Sequence, residues 1–111
     1  MQTLDFNKVK KEYFVVTLSD ENKTKLQIMT PTKRMLSEVM EEFNTFAGGD
    51  TPTAEDLSAM YDLCARLMSR NRMGIQITGD QLAEILDFED IFTFIEAYTT
   101  FITEKATAKN S

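Results

Sequence analysis

Residues 74–104 constrain the chain more than any other stretch, because they combine an acidic surface with an unusually wide apolar surface. The stretch contains seven acidic residues and no lysine or arginine. Apolar and aromatic side chains lie between the acids: Phe88, Ile91, Phe92, Phe94, Ile95, Tyr98, Phe101 and Ile102. On a helix these side chains would cover about half of the circumference, which exceeds what packing in a small bundle requires. The sequence therefore predicts a final helix with apolar surface left over for contact with another protein.

Four helix-start signals organise the chain from residue 30 onward. Threonine or aspartate caps the first amides of a helix, and proline is favoured at its first position. The signals are Thr30-Pro31, Thr53 with Asp56, Thr78 with Gln81, and Asp87 before Phe88. The predicted helices span residues 31–47, 54–71, 81–86 and 88–105, and the first ends at Gly48-Gly49.

Apolar residues recur at helical spacing and define the inward face of each long helix. The stripe of the first helix consists of Met35, Leu36, Val39, Met40, Phe43 and Phe46. The stripe of the second consists of Leu57, Met60, Tyr61, Cys64, Leu67 and Met68. In the last helix Phe88, Ile91, Ile95, Tyr98 and Ile102 form the core stripe. The methionines on these stripes are compatible with core filling and with an adaptable binding surface.

The N-terminal third predicts a β-hairpin. Residues 13–18 and 25–29 are rich in β-branched and aromatic residues or alternate apolar with polar ones, and residues 19–23 have turn composition. A further short strand is expected at residues 3–6, and residues 75–77 predict a loop or a strand fragment. Because an isolated hairpin is marginally stable, it must pack on the helices. The predicted fold is α+β, an N-terminal hairpin packed on three to four helices, with one domain at residues 1–105 and a flexible tail at 106–111.

Charge and cysteine content exclude several classes of partner. The chain of 111 residues has a formal net charge of −6, which argues against nucleic acid and anionic membrane surfaces. It has no histidine and one cysteine, Cys64, so a zinc site and an internal disulfide are not expected. A reducing compartment such as the cytoplasm is predicted. No apolar run has the length of a membrane span, and no signal peptide is recognisable.

No arrangement of residues predicts catalysis. The adjacent acid pairs, such as Glu41 with Glu42 and Glu89 with Asp90, diverge by about 100° on a helix and do not converge on one point. The glycines match neither a phosphate loop nor a dinucleotide fingerprint. We therefore expect a non-enzymatic protein that needs no cofactor and no metal.

Phe94 and Phe101 are the first candidates for partner binding. They lie seven residues apart on one flank of the last helix, and Tyr98 lies between them. If they form a partly exposed patch, it would bind an apolar helix or a second copy of the chain. The alternative is that the hairpin and the second helix bury all three.

Arg66, Arg70 and Arg72 are candidates for self-association. They cluster at the end of the second helix, where they would contact the acidic C-terminal third of a neighbouring copy. The alternative is that they are solvated cations favoured by the helix dipole.

Four segments together suggest a family. They are Asp5-Phe6-Asn7-Lys8-Val9 with the aromatic hairpin after it, Thr30-Pro31-Thr32-Lys33, Leu67-Met68-Ser69-Arg70-Asn71-Arg72 followed by Gly74, and Ile85-Leu86-Asp87-Phe88-Glu89-Asp90. These segments resemble the short tail assembly chaperones of long-tailed (siphovirus-type) phages and prophages of Gram-positive bacteria. The resemblance covers nearly the whole chain, and its motifs are structural and carry no catalytic residue.

The resemblance implies a role in virion morphogenesis. Such a chaperone binds and solubilises the aggregation-prone tape measure protein, helps to recruit tail tube subunits and tends to self-associate. It acts in the cytoplasm of the bacterial host and is expected to be absent from the mature virion. A frameshift in the gene often gives an extended form, and Ala108-Lys109-Asn110 is compatible with a slippery codon sequence. The alternative function is that of a small acidic helical adaptor or inhibitor, which binds one defined host or phage protein at fixed stoichiometry.

Overall fold

Two strands are followed by four helices in the part of the chain that the structure describes. The structure is a computed structural model; it describes residues 3–6, 8, 11–48 and 53–110, and only the backbone of 45–48 and 106–110. The elements are β1 (Phe14–Thr17), β2 (Lys25–Ile28), α1 (Lys33–Gly48), α2 (Ala54–Ser69), α3 (Gly79–Ile85) and α4 (Phe88–Asn110). The predicted α+β class, with an N-terminal hairpin packed on a helical bundle, is confirmed.

The hairpin is antiparallel, and its turn is closed by a carboxylate. Phe14 pairs with Ile28, and Thr17 pairs with Lys25. In the turn Asp20 accepts hydrogen bonds from the backbone amide and the hydroxyl of Thr24, at 2.8 and 2.6 Å. These bonds favour the ionised form, so they lower the pKa of Asp20. The strand expected at residues 3–6 is wrong, because those residues have no strand geometry.

The end of α2 adds a short backbone link to the free edge of β2. The amide of Met29 donates to the carbonyl of Arg70 at 2.9 Å, and the amide of Arg72 donates to the carbonyl of Gln27 at 3.0 Å. Ile28 and Asn71 form the bridge between these two bonds. This link explains why α2 ends at Ser69, two residues before its predicted end.

Helix α2 lies at the centre of the molecule, where it packs against α1, α3, α4 and β2. Its buried side chains are Met60, Leu63, Cys64, Ala65, Leu67 and Met68. From the hairpin, Leu26 and Ile28 join this core and are fully buried. The predicted inward position of Cys64 is confirmed, and burial raises the pKa of its thiol to about 12.

Three of the four predicted helix starts are confirmed by cap geometry. Thr53 and Asp56 form a capping box on α2, and Thr78 and Gln81 form one on α3. Asp87 caps α4 by accepting from the amide of Asp90 at 2.8 Å.

The predicted start of α1 at Thr30-Pro31 is wrong. The helix begins at Lys33, and the hydroxyl of Thr32 accepts from the amide of Met35 at 3.3 Å. The physical reason is a tertiary contact at Thr30. The carbonyl of Thr30 accepts a hydrogen bond from Arg70 Nε at 2.7 Å, which holds this residue against the end of α2.

Helix α4 continues to Asn110, five residues beyond its predicted end at Lys105. The prediction that residues 106–111 form a flexible tail is not tested by this helix assignment and stays a prediction. The end of α4 lies near the hairpin, because the Lys105 ammonium donates to the carboxylate of Glu12.

Candidate functional site

A groove between α1 and α4 is the main open apolar feature of the described residues. Both helices pack on α2 but make few contacts with each other, so a space of about 520 Å³ remains between them. This volume falls in the range of roughly 300–1,000 Å³ that ligand clefts occupy. The groove is lined by Val39, Met40, Phe43, Asn44, Phe92, Ile95, Glu96, Thr99 and Thr100.

The floor of the groove is buried and its walls are exposed apolar side chains. Val39 and Ile95 belong to the core. Met40, Phe43 and Phe92 are 58%, 41% and 37% exposed. A cluster of exposed large apolar side chains is a recognised mark of a protein-binding surface, whereas scattered ones are not.

Phe88 extends the apolar surface by one helical turn toward the start of α4. Its ring meets that of Phe92 edge to face, with centroids 6.2 Å apart, and the side chain is 55% exposed. The prediction that Phe88 belongs to the core stripe is therefore wrong. The exposed wall on α4 runs from Phe88 to Thr100, which is about 18 Å at the rise of an α-helix.

The electrostatic character of the groove is acidic. Glu96 is the one charged residue in its lining, and Glu89 is exposed on α4 one turn before Phe92. No lysine or arginine is present among the lining residues. The exposed apolar walls of the groove favour binding of an apolar segment.

Of the two interpretations of Phe94, Tyr98 and Phe101, the exposed patch is contradicted for Phe94 and Tyr98, and Phe101 remains partly exposed. Phe94 and Tyr98 are 7% and 1% exposed, and Phe101 is half-buried. The reason is Phe14 of β1, whose ring stacks on Phe101 at 5.4 Å and lies 6.1 Å from Phe94 and 6.0 Å from Tyr98. The hairpin therefore covers this flank of α4, as the alternative interpretation held.

Tyr98 carries an unusual polar atom in this aromatic cluster. Its hydroxyl is buried and has no hydrogen-bond partner in the described structure. Burial raises the pKa of Tyr98 to about 12, although the charge of Arg70 acts in the opposite direction. Because the Tyr98 side chain is almost fully buried, its hydroxyl does not reach the surface.

The three arginines at the end of α2 all have partners within the chain. Arg66 forms an ion pair with Glu38 of α1 at 2.8 Å. Arg70 donates to the carbonyl of Thr30, and Arg72 lies 5.7 Å from the centroid of the Tyr13 ring. The structure brings these arginines to α1 and to the hairpin. Their role in self-association stays a prediction.

The described residues contain no group of three or more cysteine and acidic side chains that would hold a metal ion. Within the same residues, no helix combines the length and apolar character needed to cross a membrane.

The exposure of Phe92 was not predicted from the sequence, although a signal for it is present. The apolar arc of α4 is wider than a core stripe, but the heptad spacing of Phe94 and Phe101 favours the flank that the structure buries. Phe88 and Phe92 stand four residues apart and share a face that points away from Phe94. This second pair shows that α4 has an apolar flank on each side of its core stripe, and the packing of Phe14 on Phe94 leaves the Phe88 and Phe92 flank exposed.

The chain matches no protein-family model, no curated protein and no solved structure.

Proposed function

We propose that this protein is a non-catalytic tail assembly chaperone of a siphovirus-type phage or prophage, and that its α1–α4 groove holds an apolar helix of the tape measure protein. The observation that supports this proposal is the exposure of Met40, Phe43 and Phe92 around one groove. The resemblance of the four sequence segments to the chaperone family supports it independently.

The shape and composition of the groove suit a helix as the bound segment. An amphipathic helix binds between two helices through apolar residues spaced three or four apart. A wall of about 18 Å accommodates about three turns of such a helix. Met40 at the groove rim adapts to different side chains, since methionine is unbranched and flexible. This adaptability suits a chaperone that grips many unlike segments of one long protein.

The acidic surface suits the loaded complex. A net charge of −6 on each bound copy makes neighbouring complexes repel one another. In this proposal the chaperone keeps the tape measure protein dispersed in the cytoplasm of the bacterial host, helps tail tube subunits to assemble around it, and leaves before the virion is mature.

Co-expression with the tape measure protein of the same phage or prophage tests the proposal. The tape measure protein should be insoluble alone, and it should co-elute with many copies of this chain in size-exclusion chromatography with light scattering. A closed complex of small, fixed stoichiometry with another protein would instead favour the adaptor or inhibitor. A tape measure protein that stays in the pellet while this chain elutes alone would contradict the chaperone function.

The groove is tested by a matched pair of variants. Met40→Ser combined with Phe43→Ser and Phe92→Ser should abolish co-elution, because it removes the exposed apolar walls. Val15→Ser combined with Met73→Ser is the control, since both side chains are exposed and neither lines the groove. Equal loss of co-elution in both variants would contradict the assignment of the groove.

A further inference from the structure

A second exposed apolar feature lies before the hairpin, in residues 3–6, 8 and 11, which we name the N-terminal arm. Leu4 and Phe6 are 71% and 74% exposed, more than any other large apolar side chain described. Lys8 and Lys11 are also exposed. Between residues 3 and 11 the sequence has three lysines and one acidic residue. The arm is therefore apolar and basic in a chain that is otherwise acidic.

We propose that the N-terminal arm of one copy docks in the α1–α4 groove of a second copy and covers that groove until a client helix replaces it. Leu4 and Phe6 would insert between the exposed walls formed by Met40, Phe43 and Phe92. This inference concerns the same groove as the proposed function and adds how the groove is protected before a client binds.

Charge favours this pairing. The groove carries Glu96 in its lining and Glu89 beside it, and no basic residue lines it. Lysines of the arm would meet these carboxylates at the rim, where opposite charges accelerate association and fix orientation. The acidic surface of α4 alone would make two copies repel one another, so the basic arm is the part of the chain suited to approach it.

The placement of the arm favours a second copy over the same copy. The arm leads into β1, whose Phe14 packs on the Phe94 side of α4. Phe92, on the groove side, points about 160° away from Phe94 around the helix axis. The arm and the groove of one chain therefore lie on opposite sides of α4, and in the described structure Leu4 and Phe6 remain in solvent.

Analytical ultracentrifugation of the purified chain without a client tests the inference. The unaltered protein should form dimers or larger assemblies as its concentration rises. An arm variant, Leu4→Ser with Phe6→Ser, and a groove variant, Met40→Ser with Phe43→Ser, should each raise the dissociation constant by about tenfold or more, because each removes two large apolar contacts. All four side chains are mostly or substantially exposed, so both variants should fold, which circular dichroism checks.

Mixing the two variants gives a sharper result. The arm variant keeps an intact groove and the groove variant keeps an intact arm, so the mixture should associate more tightly than either variant alone. The Val15→Ser, Met73→Ser protein should behave as the unaltered chain. A chain that stays monomeric, or an assembly that both variants leave unchanged, would overturn the inference. Because client binding is measured separately, a monomer that still solubilises the tape measure protein would overturn the arm docking alone.

Discussion

Tyr98 buries a hydroxyl whose hydrogen-bonding capacity is unused in the described structure. Leaving such a group unpaired costs about 1–3 kcal/mol, so Tyr98→Phe should raise the free energy of unfolding by about 1 kcal/mol. Tyr61→Phe is the matched control, because the Tyr61 hydroxyl donates to the carbonyl of Leu86 at 2.7 Å. That variant should lose about 1 kcal/mol. Urea denaturation measures both, and a loss of stability in Tyr98→Phe would show that the hydroxyl is satisfied in solution.

Phe92 and Phe94 stand two residues apart on α4, and their truncation should lower stability to different extents. Phe94→Ala should lower the free energy of unfolding by about 3 kcal/mol, because it opens a cavity beneath Phe14. Phe92→Ala should cost about 1–2 kcal/mol, because its ring is partly in solvent, and under the proposed function it should also weaken binding of the client helix. Equal losses measured by urea denaturation would contradict the placement of the hairpin.

Cys64 and Tyr98 should make the protein less stable in alkali. Burial raises the pKa of the Cys64 thiol from 9.0 to about 12. Between these pH values the thiol is protonated in the folded state and ionised in the unfolded state, so ionisation favours unfolding. Its contribution is therefore complete below pH 9 and falls as the pH rises toward 12; Tyr98 acts in the same direction above pH 10. Urea denaturation between pH 8 and pH 10 should show this fall. Cys64→Ala should flatten it, and an unchanged slope would contradict burial as its cause.

At the scale of elements, the capping box at the start of α3 should stabilise the protein through two hydrogen bonds between near neighbours in sequence. The Thr78 hydroxyl accepts from the Gln81 amide at 3.2 Å, and the Gln81 side chain accepts from the Thr78 amide at 2.8 Å. Thr78→Ala removes one half of this capping box and should lower the free energy of unfolding by about 1 kcal/mol. Thr100→Ala is the control, because its hydroxyl bonds only within an exposed part of α4. Equal effects of both variants in urea denaturation would contradict a specific role for the cap.

The elements that could be predicted are those whose signals are local. Thr78 and Gln81 sit three residues apart and form their capping box without help from the rest of the chain. The start of α1 could not be predicted, because Arg70 binds the Thr30 carbonyl from forty residues away. The same holds for Asn71, which is buried and forms a bridge with Ile28 of β2, far from it in sequence.

In the candidate site, too, local features could be predicted from the sequence, whereas features that depend on tertiary packing could not. The width of the apolar arc on α4 correctly predicted surplus apolar surface, because helical periodicity is local. Which flank is exposed depends on where the hairpin packs, and Phe14 decides this by covering Phe94 and Phe101. That contact is fixed by the link between β2 and the end of α2, so the sequence pattern of α4 alone points to either flank.

At the scale of the whole molecule, the groove results from a central helix that is surrounded unevenly. The radius of gyration is 15.4 Å, larger than the roughly 13 Å expected for a chain of this length. Helix α2 packs against neighbours on several sides, whereas α1 packs mainly against α2. The apolar side chains of α1 that face α4 therefore contact solvent, because no further element of the described structure packs against them.

This uneven packing predicts a gradient of local stability, which binding of the proposed client helix in the groove should reduce. Amide hydrogens of α2 should exchange only through global unfolding, and those of α1 should exchange at least about tenfold faster, because fewer buried contacts hold that helix. A bound client helix should slow exchange in α1 and in the groove side of α4, while α2 stays unchanged. Hydrogen exchange with mass spectrometry measures this in the chain alone and in the co-expressed complex. Protection of α1 equal to that of α2 in the chain alone would contradict an open groove, and slowing confined to the hairpin would place the client on the other side of the molecule.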